Sequence, residues 1–91
     1  MLGQNIRMLR QARGLSQVDL GKRLNVSKQS ISNWENDNIM PSVETLVQMA
    51  DFFSVSTDYL LGRTDKQYLD VSGLTQTQIT HLQMLAEDLR R

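Results

Sequence analysis

Residues 14–36 read GLSQVDLGKRLNVSKQSISNWEN, and this stretch predicts two short helices joined by a tight turn. Ser16 and Ser27 are placed to cap the two helices, because a serine hydroxyl accepts a hydrogen bond from the free amides of a first helical turn. Asn25 tolerates the left-handed conformation in which helices often end. Gly21 lies in the middle of the first helix, where it costs roughly 1 kcal/mol relative to alanine. That cost is explained if the second helix crosses so closely there that no side chain fits.

Apolar residues recur at helical spacing on both sides of this unit, which predicts one helix before it and two after it. Gly14 ends the first helix, Ser42 opens the fourth, and Gly62 ends a short fifth helix. The inward-facing residues of the first four helices are expected to be Leu2, Ile6, Leu9, Ala12, Val18, Leu20, Leu24, Ile31, Trp34, Val43, Leu46, Val47, Ala50 and Phe53. No segment before Gly62 alternates as a strand does. The predicted fold class is all-α, a compact five-helix bundle over residues 1–62.

The charges of the 91-residue chain are separated along the sequence although they sum to zero. Residues 1–34 hold six basic residues against one acidic, a local charge of +5. Residues 35–62 hold five acidic residues and no basic one, a local charge of −5. A basic first half is compatible with a nucleic-acid partner, since binding needs positive charge near the phosphates and not a positive total. Ordinary solvated charges would give the same pattern.

The composition argues against several classes of function. The chain has no cysteine and a single histidine, His81, so it offers no disulfide framework, no thiolate ligand and no clustered metal site. We expect no metal and no cofactor, and the absence of a nucleophile–base set or a glycine-rich phosphate loop predicts that the protein is not an enzyme. The sequence shows neither a long apolar run nor a secretory leader, so a cytoplasmic protein is expected.

A second amphipathic segment follows the predicted bundle. Residues 63–73 are of mixed composition and are interpreted as a linker, and residues 74–91 as a C-terminal helix that begins with the capping-box spacing at Thr75 and Gln78. Its apolar stripe consists of Ile79, Leu82, Leu85, Ala86 and Leu89. This stripe has to be buried, either against a second copy in a dimer or by packing back on its own bundle.

The outward face of the second helix of the unit is polar. It carries Lys28, Gln29, Ser32 and Asn33. Glutamine and asparagine can form two hydrogen bonds to adenine, and lysine can bond guanine, so these side chains are of the kind that read base edges. Any solvated helix also has a polar face, and the tight turn beside it is what favours the functional interpretation.

Residues 2–62 resemble the Cro/repressor-type helix-turn-helix family, also called the XRE or lambda-repressor-like family. The stretches that carry the resemblance are GLSQ at 14–17, LNVS at 24–27, ISNWEN at 31–36, PSVETL at 41–46 and FSVSTDYLLG at 53–62. The resemblance implies a lambda-repressor-like fold and a transcriptional regulator whose partner is double-stranded DNA. It further implies a dimeric repressor that reads a palindromic operator through the major groove, with half-sites about 34 Å apart.

The resemblance also implies roles for individual residues. Those facing the bases would be Lys28, Gln29, Ser32 and Asn33, and those near phosphates would be Gln17, Ser27, Ser30 and Asn36. Arg10 and Glu35 match a pair that forms an internal salt bridge. The C-terminal stripe lies outside the resemblance, and we expect from its apolar pattern that it forms the homodimer.

This chain departs from the family pattern at Asn25, where glycine is common, and in the loop 37–40, which has no basic residue. The second departure argues against strong phosphate contacts from that loop. The alternative function is an antitoxin or another protein-interaction module that uses the same fold.

Overall fold

The computed structural model describes residues 2–91 and contains no strand within them. Its helices are α1 (Leu2–Ala12), α2 (Gln17–Leu24), α3 (Lys28–Glu35), α4 (Val43–Phe53), α5 (Thr57–Leu60) and α6 (Gln76–Leu89). The predicted all-α class is therefore confirmed. None of these helices is long and apolar enough to cross a membrane.

Side-chain caps fix where the helices begin. The hydroxyls of Ser16, Ser27, Ser42 and Ser56 each accept a hydrogen bond from a backbone amide in the first turn that follows. Ser16 and Asp19 form a reciprocal capping box, as do Thr75 and Gln78 at the start of α6. These caps satisfy amides that a helix leaves unpaired at its start.

The helices close around one apolar core to which α1 to α5 all contribute. Its buried members are Leu2, Ile6, Leu20, Leu24, Ile31, Trp34, Met49, Ala50, Phe53 and Leu60. The burial predicted for Trp34 is confirmed, since only 8% of its surface is exposed.

The α5 segment is joined to α1 through Asn5, whose side-chain amide donates to the backbone carbonyls of Tyr59 and Leu60 at 3.2 and 3.1 Å. Two helices that are distant in the sequence are thereby held together.

Four residues that were predicted to face inward are exposed, namely Ala12, Val18, Val43 and Val47. Val43 is 77% exposed because it lies in the first turn of α4, before the packed part of that helix. Val47 follows Leu46 directly, so it points about 100° away around the helix axis. Met49 is fully buried and takes the place in the core that Val47 was predicted to have. The side of α4 that faces the core therefore consists of positions 46, 49, 50 and 53.

Two glycines mark places where backbone segments approach closely. A Cβ added to Gly21 would lie 2.7 Å from the carbonyl oxygen of Val26. The predicted lack of space at Gly21 is therefore real, but its cause is the turn between α2 and α3, whereas we had expected a crossing of α3 itself. A Cβ added to Gly3 would collide with the carbonyl oxygen of Glu35 and lie 2.7 Å from that of Trp34. The start of α1 thus lies directly on the end of α3.

The C-terminal helix is the least buried element of the structure. None of the residues of α6 is buried, and only Ile79 and Ala86 are half-buried. The segment between α5 and α6 contains no helix. The sequence left two arrangements open for the apolar stripe of α6. The structure does not show the one in which the stripe packs back on its own bundle.

Gly3→Ala should destabilise the protein even though alanine favours helices. The new methyl group would meet the backbone of α3, and overpacking of this kind typically costs about 1 to 3 kcal/mol. Urea unfolding followed by circular dichroism measures the effect. The control is Gln4→Ala on the exposed side of the same turn of α1, which should change the free energy of unfolding by less than about 0.5 kcal/mol. Equal stability of the two variants would contradict the close approach.

Candidate nucleic-acid interface

Helix α3 divides into a buried side and a polar side. Ile31 and Trp34 are buried between α1 and α2. The opposite side carries the four residues expected to face the bases, and we call Lys28, Gln29, Ser32 and Asn33 the reading face. Lys28 and Gln29 are exposed, whereas Ser32 and Asn33 are half-buried.

Glu35, at the end of α3, has a carboxylate with no exposed surface. Arg10 of α1 donates to it from two nitrogens, Nε to Oε2 at 2.6 Å and Nη2 to Oε1 at 3.0 Å. Gln17 of α2 donates from Nε2 to Oε1 at 3.1 Å, and Arg7 of α1 donates from Nε to the same oxygen at 3.4 Å. A third nitrogen of Arg10 donates to the carbonyl of Leu15 between α1 and α2, at 2.8 Å. One buried carboxylate thus connects α1, α2 and α3.

The surroundings of Glu35 determine its charge. Burial on its own would raise the pKa of Glu35, but the hydrogen bonds from Arg10, Gln17 and Arg7, with the charge of Arg10, hold that pKa below its ordinary value. The hydrogen bond to Glu35 correspondingly raises the pKa of Arg10 against the effect of burial. Glu35 is therefore ionised near neutral pH. The ionised form stabilises the fold above the usual glutamate range near pH 4.3, and this stabilisation is lost as the pH falls through the lowered pKa.

The residues expected near phosphates lie at the ends of α2 and α3. Ser27 caps α3, where its hydroxyl accepts from the amide of Ser30 at 3.1 Å and lies 3.1 Å from the Ser30 hydroxyl. Gln17 begins α2 and has one amide hydrogen committed to Glu35, which leaves its side-chain oxygen and its second hydrogen for an outside partner. Asn36 ends α3 and has both ends of its amide engaged within the protein.

Sequence reasoning missed the role of Arg7. Its Nη2 donates to the side-chain oxygen of Asn36 at 3.0 Å, and the nitrogen of that amide donates to the hydroxyl of Ser32 at 3.4 Å. A chain of polar contacts therefore runs from the buried Glu35 to the reading face. The signal was present in the sequence, because Arg7 lies three residues before Arg10 and hence on the same side of α1.

The reading face has a hydrogen bond of its own. The side-chain nitrogen of Gln29 donates to the side-chain oxygen of Asn33 at 3.2 Å, one turn further along α3. The structure therefore brings all four residues of the reading face together on one side of a single helix.

The C-terminal stripe is separate from this interface. Leu74, Leu82 and Leu85 line an open groove of about 410 Å³ together with Gln78 and His81. Leu85 and Leu89 have 55% and 76% of their surface exposed, so residues 2–91 leave more than half of each side chain uncovered.

The packed pair α2 and α3, with its short capped turn, is a helix-turn-helix unit. A family model described as "Helix-turn-helix" matches residues 6–60. The chain belongs to the Cro/repressor-type helix-turn-helix family.

Relatives and solved structures agree with this assignment. The HTH-type transcriptional regulator ImmR of Bacillus subtilis is 36% identical over 64 residues, which are 70% of this chain and 50% of that protein. Repressor protein C2 of Salmonella phage P22 is 36% identical over 61 residues, 67% of this chain and 28% of that protein. The solved P22 c2 repressor in complex with a synthetic operator is similar with a TM-score of 0.63 and 35% identity, covering 66% of this chain and 91% of that one. The chain spans about half the length of ImmR.

Arg10→Met should cost about 3 kcal/mol or more of unfolding free energy, because it leaves the buried carboxylate of Glu35 without its main counter-charge. The matched control is Arg7→Met. It removes an arginine from the same carboxylate, but 45% of that side chain is exposed, so a loss of about 1 kcal/mol or less is expected. Urea unfolding at pH 7 measures both variants. Adding Glu35→Gln to Arg10→Met should recover part of the loss, and equal losses from the two single variants would contradict a buried bridge.

Proposed function

We propose that the protein is a transcriptional regulator that binds double-stranded DNA sequence-specifically and acts as a dimeric repressor on a palindromic operator. The observation that carries the proposal is the arrangement of α3, whose reading face is exposed at Lys28 and Gln29 and half-buried at Ser32 and Asn33. Its other side is fixed by the apolar core and the buried Glu35. A rigid polar helix of this kind fits the major groove, which admits one α-helix. The solved P22 c2 repressor, a relative, is bound to a synthetic operator, which supports the same partner for this chain.

The side chains of the reading face match the chemistry of base edges. Gln29 and Asn33 carry amides that can donate and accept at adenine, and Lys28 can donate to guanine. Ser32 carries a hydroxyl, which can do either. The hydrogen bond between Gln29 and Asn33 restricts their rotamers before DNA is met, and this lowers the entropy that binding has to overcome.

Phosphate contacts would fix the position of α3 in the groove. We assign them to Gln17 at the start of α2 and to Ser27 and Ser30 at the start of α3, because helix N-termini present free amides and a positive dipole end. Asn36, at the end of α3, would add a further contact through its free amide hydrogen. The loop 37–40 has no basic residue and contributes little. The protein would be cytoplasmic, where its DNA partner lies, and its activity would need no chemical step, metal or cofactor.

The second copy would be recruited through α6. One reading face meets only a few base pairs, so specificity requires two half-sites about 34 Å apart. We assign the dimer contact to Ile79, Leu82, Leu85, Ala86 and Leu89. The exposure of three of these five side chains in one chain supports an apolar partner for this face.

Gln29→Ala should weaken binding to a selected operator by about 1 to 3 kcal/mol, because a base-edge contact is lost. Fluorescence anisotropy with selected and random duplexes measures this difference. Gln48→Ala, an exposed position on α4, is the control and should leave both affinities unchanged. Binding to random duplexes should fall by orders of magnitude between low and moderate salt for all three proteins. A Gln29→Ala protein with parental operator affinity would contradict the assigned reading face.

Leu82→Glu combined with Leu85→Glu should convert a dimer into a folded monomer that binds operator weakly, because charges cannot be buried unpaired in an apolar seam. Sedimentation equilibrium gives the mass. The control is Gln83→Glu, an exposed position between them, and it should stay dimeric. A parental protein that is monomeric at micromolar concentration would overturn the dimer and favour the alternative in which this face binds another protein, as an antitoxin does.

A further inference from the structure

Asn36 occupies an unusual position between the core of the unit and its reading face. It is the residue that ends α3, and its backbone amide donates to the carbonyl of Ser32. Its side-chain oxygen accepts from Nη2 of Arg7 at 3.0 Å, and its side-chain nitrogen donates to Oγ of Ser32 at 3.4 Å. The amide therefore links Arg7 on α1 to a hydroxyl of the reading face.

The direction of these hydrogen bonds is fixed by chemistry. A guanidinium group has only donors, so the oxygen of the Asn36 amide has to face Arg7 and its nitrogen has to face Ser32. Arg7 is itself held by the hydrogen bond from its Nε to the buried carboxylate of Glu35. The orientation of an exposed amide is thus determined by a buried charge.

The consequence concerns the proton of the Ser32 hydroxyl. A hydroxyl in a helix often donates to the carbonyl one turn earlier, as that of Thr80 in α6 does to the carbonyl of Gln76 at 2.9 Å. The Ser32 hydroxyl instead accepts a hydrogen bond from Asn36. While its oxygen accepts from the Asn36 nitrogen, the hydroxyl proton points away from Asn36 and can donate to an acceptor outside the protein.

We propose that Asn36 is a positioning residue that makes Ser32 a hydrogen-bond donor toward DNA, so that Ser32 selects a base-edge acceptor. The acceptors available in the major groove are the N7 atoms of purines, O6 of guanine and O4 of thymine. This inference rests on the proposed function and adds to the phosphate contact expected for Asn36, for which the second hydrogen of its side-chain amide remains available. A phosphate contact would strengthen binding to every duplex equally, whereas a positioned donor acts at one base pair.

The test uses the full chain and duplexes in which each operator position is varied in turn. Ser32→Ala identifies the base pair involved and should lower the preference there about fivefold, the value of a single hydrogen bond. Asn36→Asp keeps an acceptor for Arg7 but presents an oxygen to Ser32, which draws the hydroxyl proton inward. It should lose the same preference at the same base pair, and the double variant should lose no more than either single one.

Asn38→Asp is the matched control, because it makes the same change of charge two residues away at an exposed position. It should weaken binding to all duplexes by a similar factor and leave the base preferences unchanged. Thermal unfolding by circular dichroism establishes that each variant is folded at the assay temperature.

The outcomes separate this inference from the function on which it rests. It is overturned if Asn36→Asp keeps the preference that Ser32→Ala loses, or if the only effect of Asn36→Asp, relative to Asn38→Asp, is a uniform weakening of binding across all duplexes. A parental protein with clear base preferences that do not depend on Asn36 would overturn the positioning role alone. A parental protein that binds no duplex selectively at any salt concentration would overturn the proposed function as well.

Discussion

The buried carboxylate of Glu35 is the interaction on which the arrangement of the helix-turn-helix unit depends. An ionised group without exposed surface has to be surrounded by donors, because its desolvation costs several kcal/mol. Those donors come from Arg10 and Arg7 on α1 and from Gln17 on α2. Satisfying one charge therefore brings three helices to a single point. The angle at which α3 presents its polar side follows from this electrostatic requirement together with the packing of Ile31 and Trp34.

Close backbone contact strengthens the same junction. Gly3 allows α1 to begin against the carbonyls that end α3, and Gly3 also donates its amide to the side chain of Asp37 at 3.0 Å. Gly21 leaves room for the turn that joins α2 to α3. A polar centre is thus flanked by two positions where no side chain fits. In a domain with a core this small, such contacts supply orientation that apolar burial alone does not.

Local chemistry made much of this fold predictable. Ser16 and Ser27 were predicted to begin helices and Gly14 to end one, because their capping hydrogen bonds and backbone conformations involve only neighbours in sequence. The structure has all three residues in these roles. Predictions that depend on contacts between different helices were less successful. Val43 and Val47 fit the apolar pattern of α4, but they are exposed because they lie outside its contacts with the other helices. Nothing in the sequence around Gly3 indicates that it lies against the end of α3. The expected residues of the reading face do lie on one side of α3. The spacing of Arg7 and Arg10 places both on one side of α1, but no local pattern shows that Arg7 reaches Asn36, about thirty residues away.

The exposure of α6 has a consequence for the helix–coil equilibrium of that segment. A helix of 14 residues is marginal in water unless tertiary packing supports it, because nucleation is unfavourable and few hydrogen bonds repay it. Its capping box supplies part of what is needed, and no residue of the helix is fully buried. Any partner that covers Leu82, Leu85 and Leu89 would therefore also complete the folding of the segment. The folding of α6 and its association with a second copy are then coupled. The helix content, measured as the ellipticity at 222 nm, should therefore rise with protein concentration.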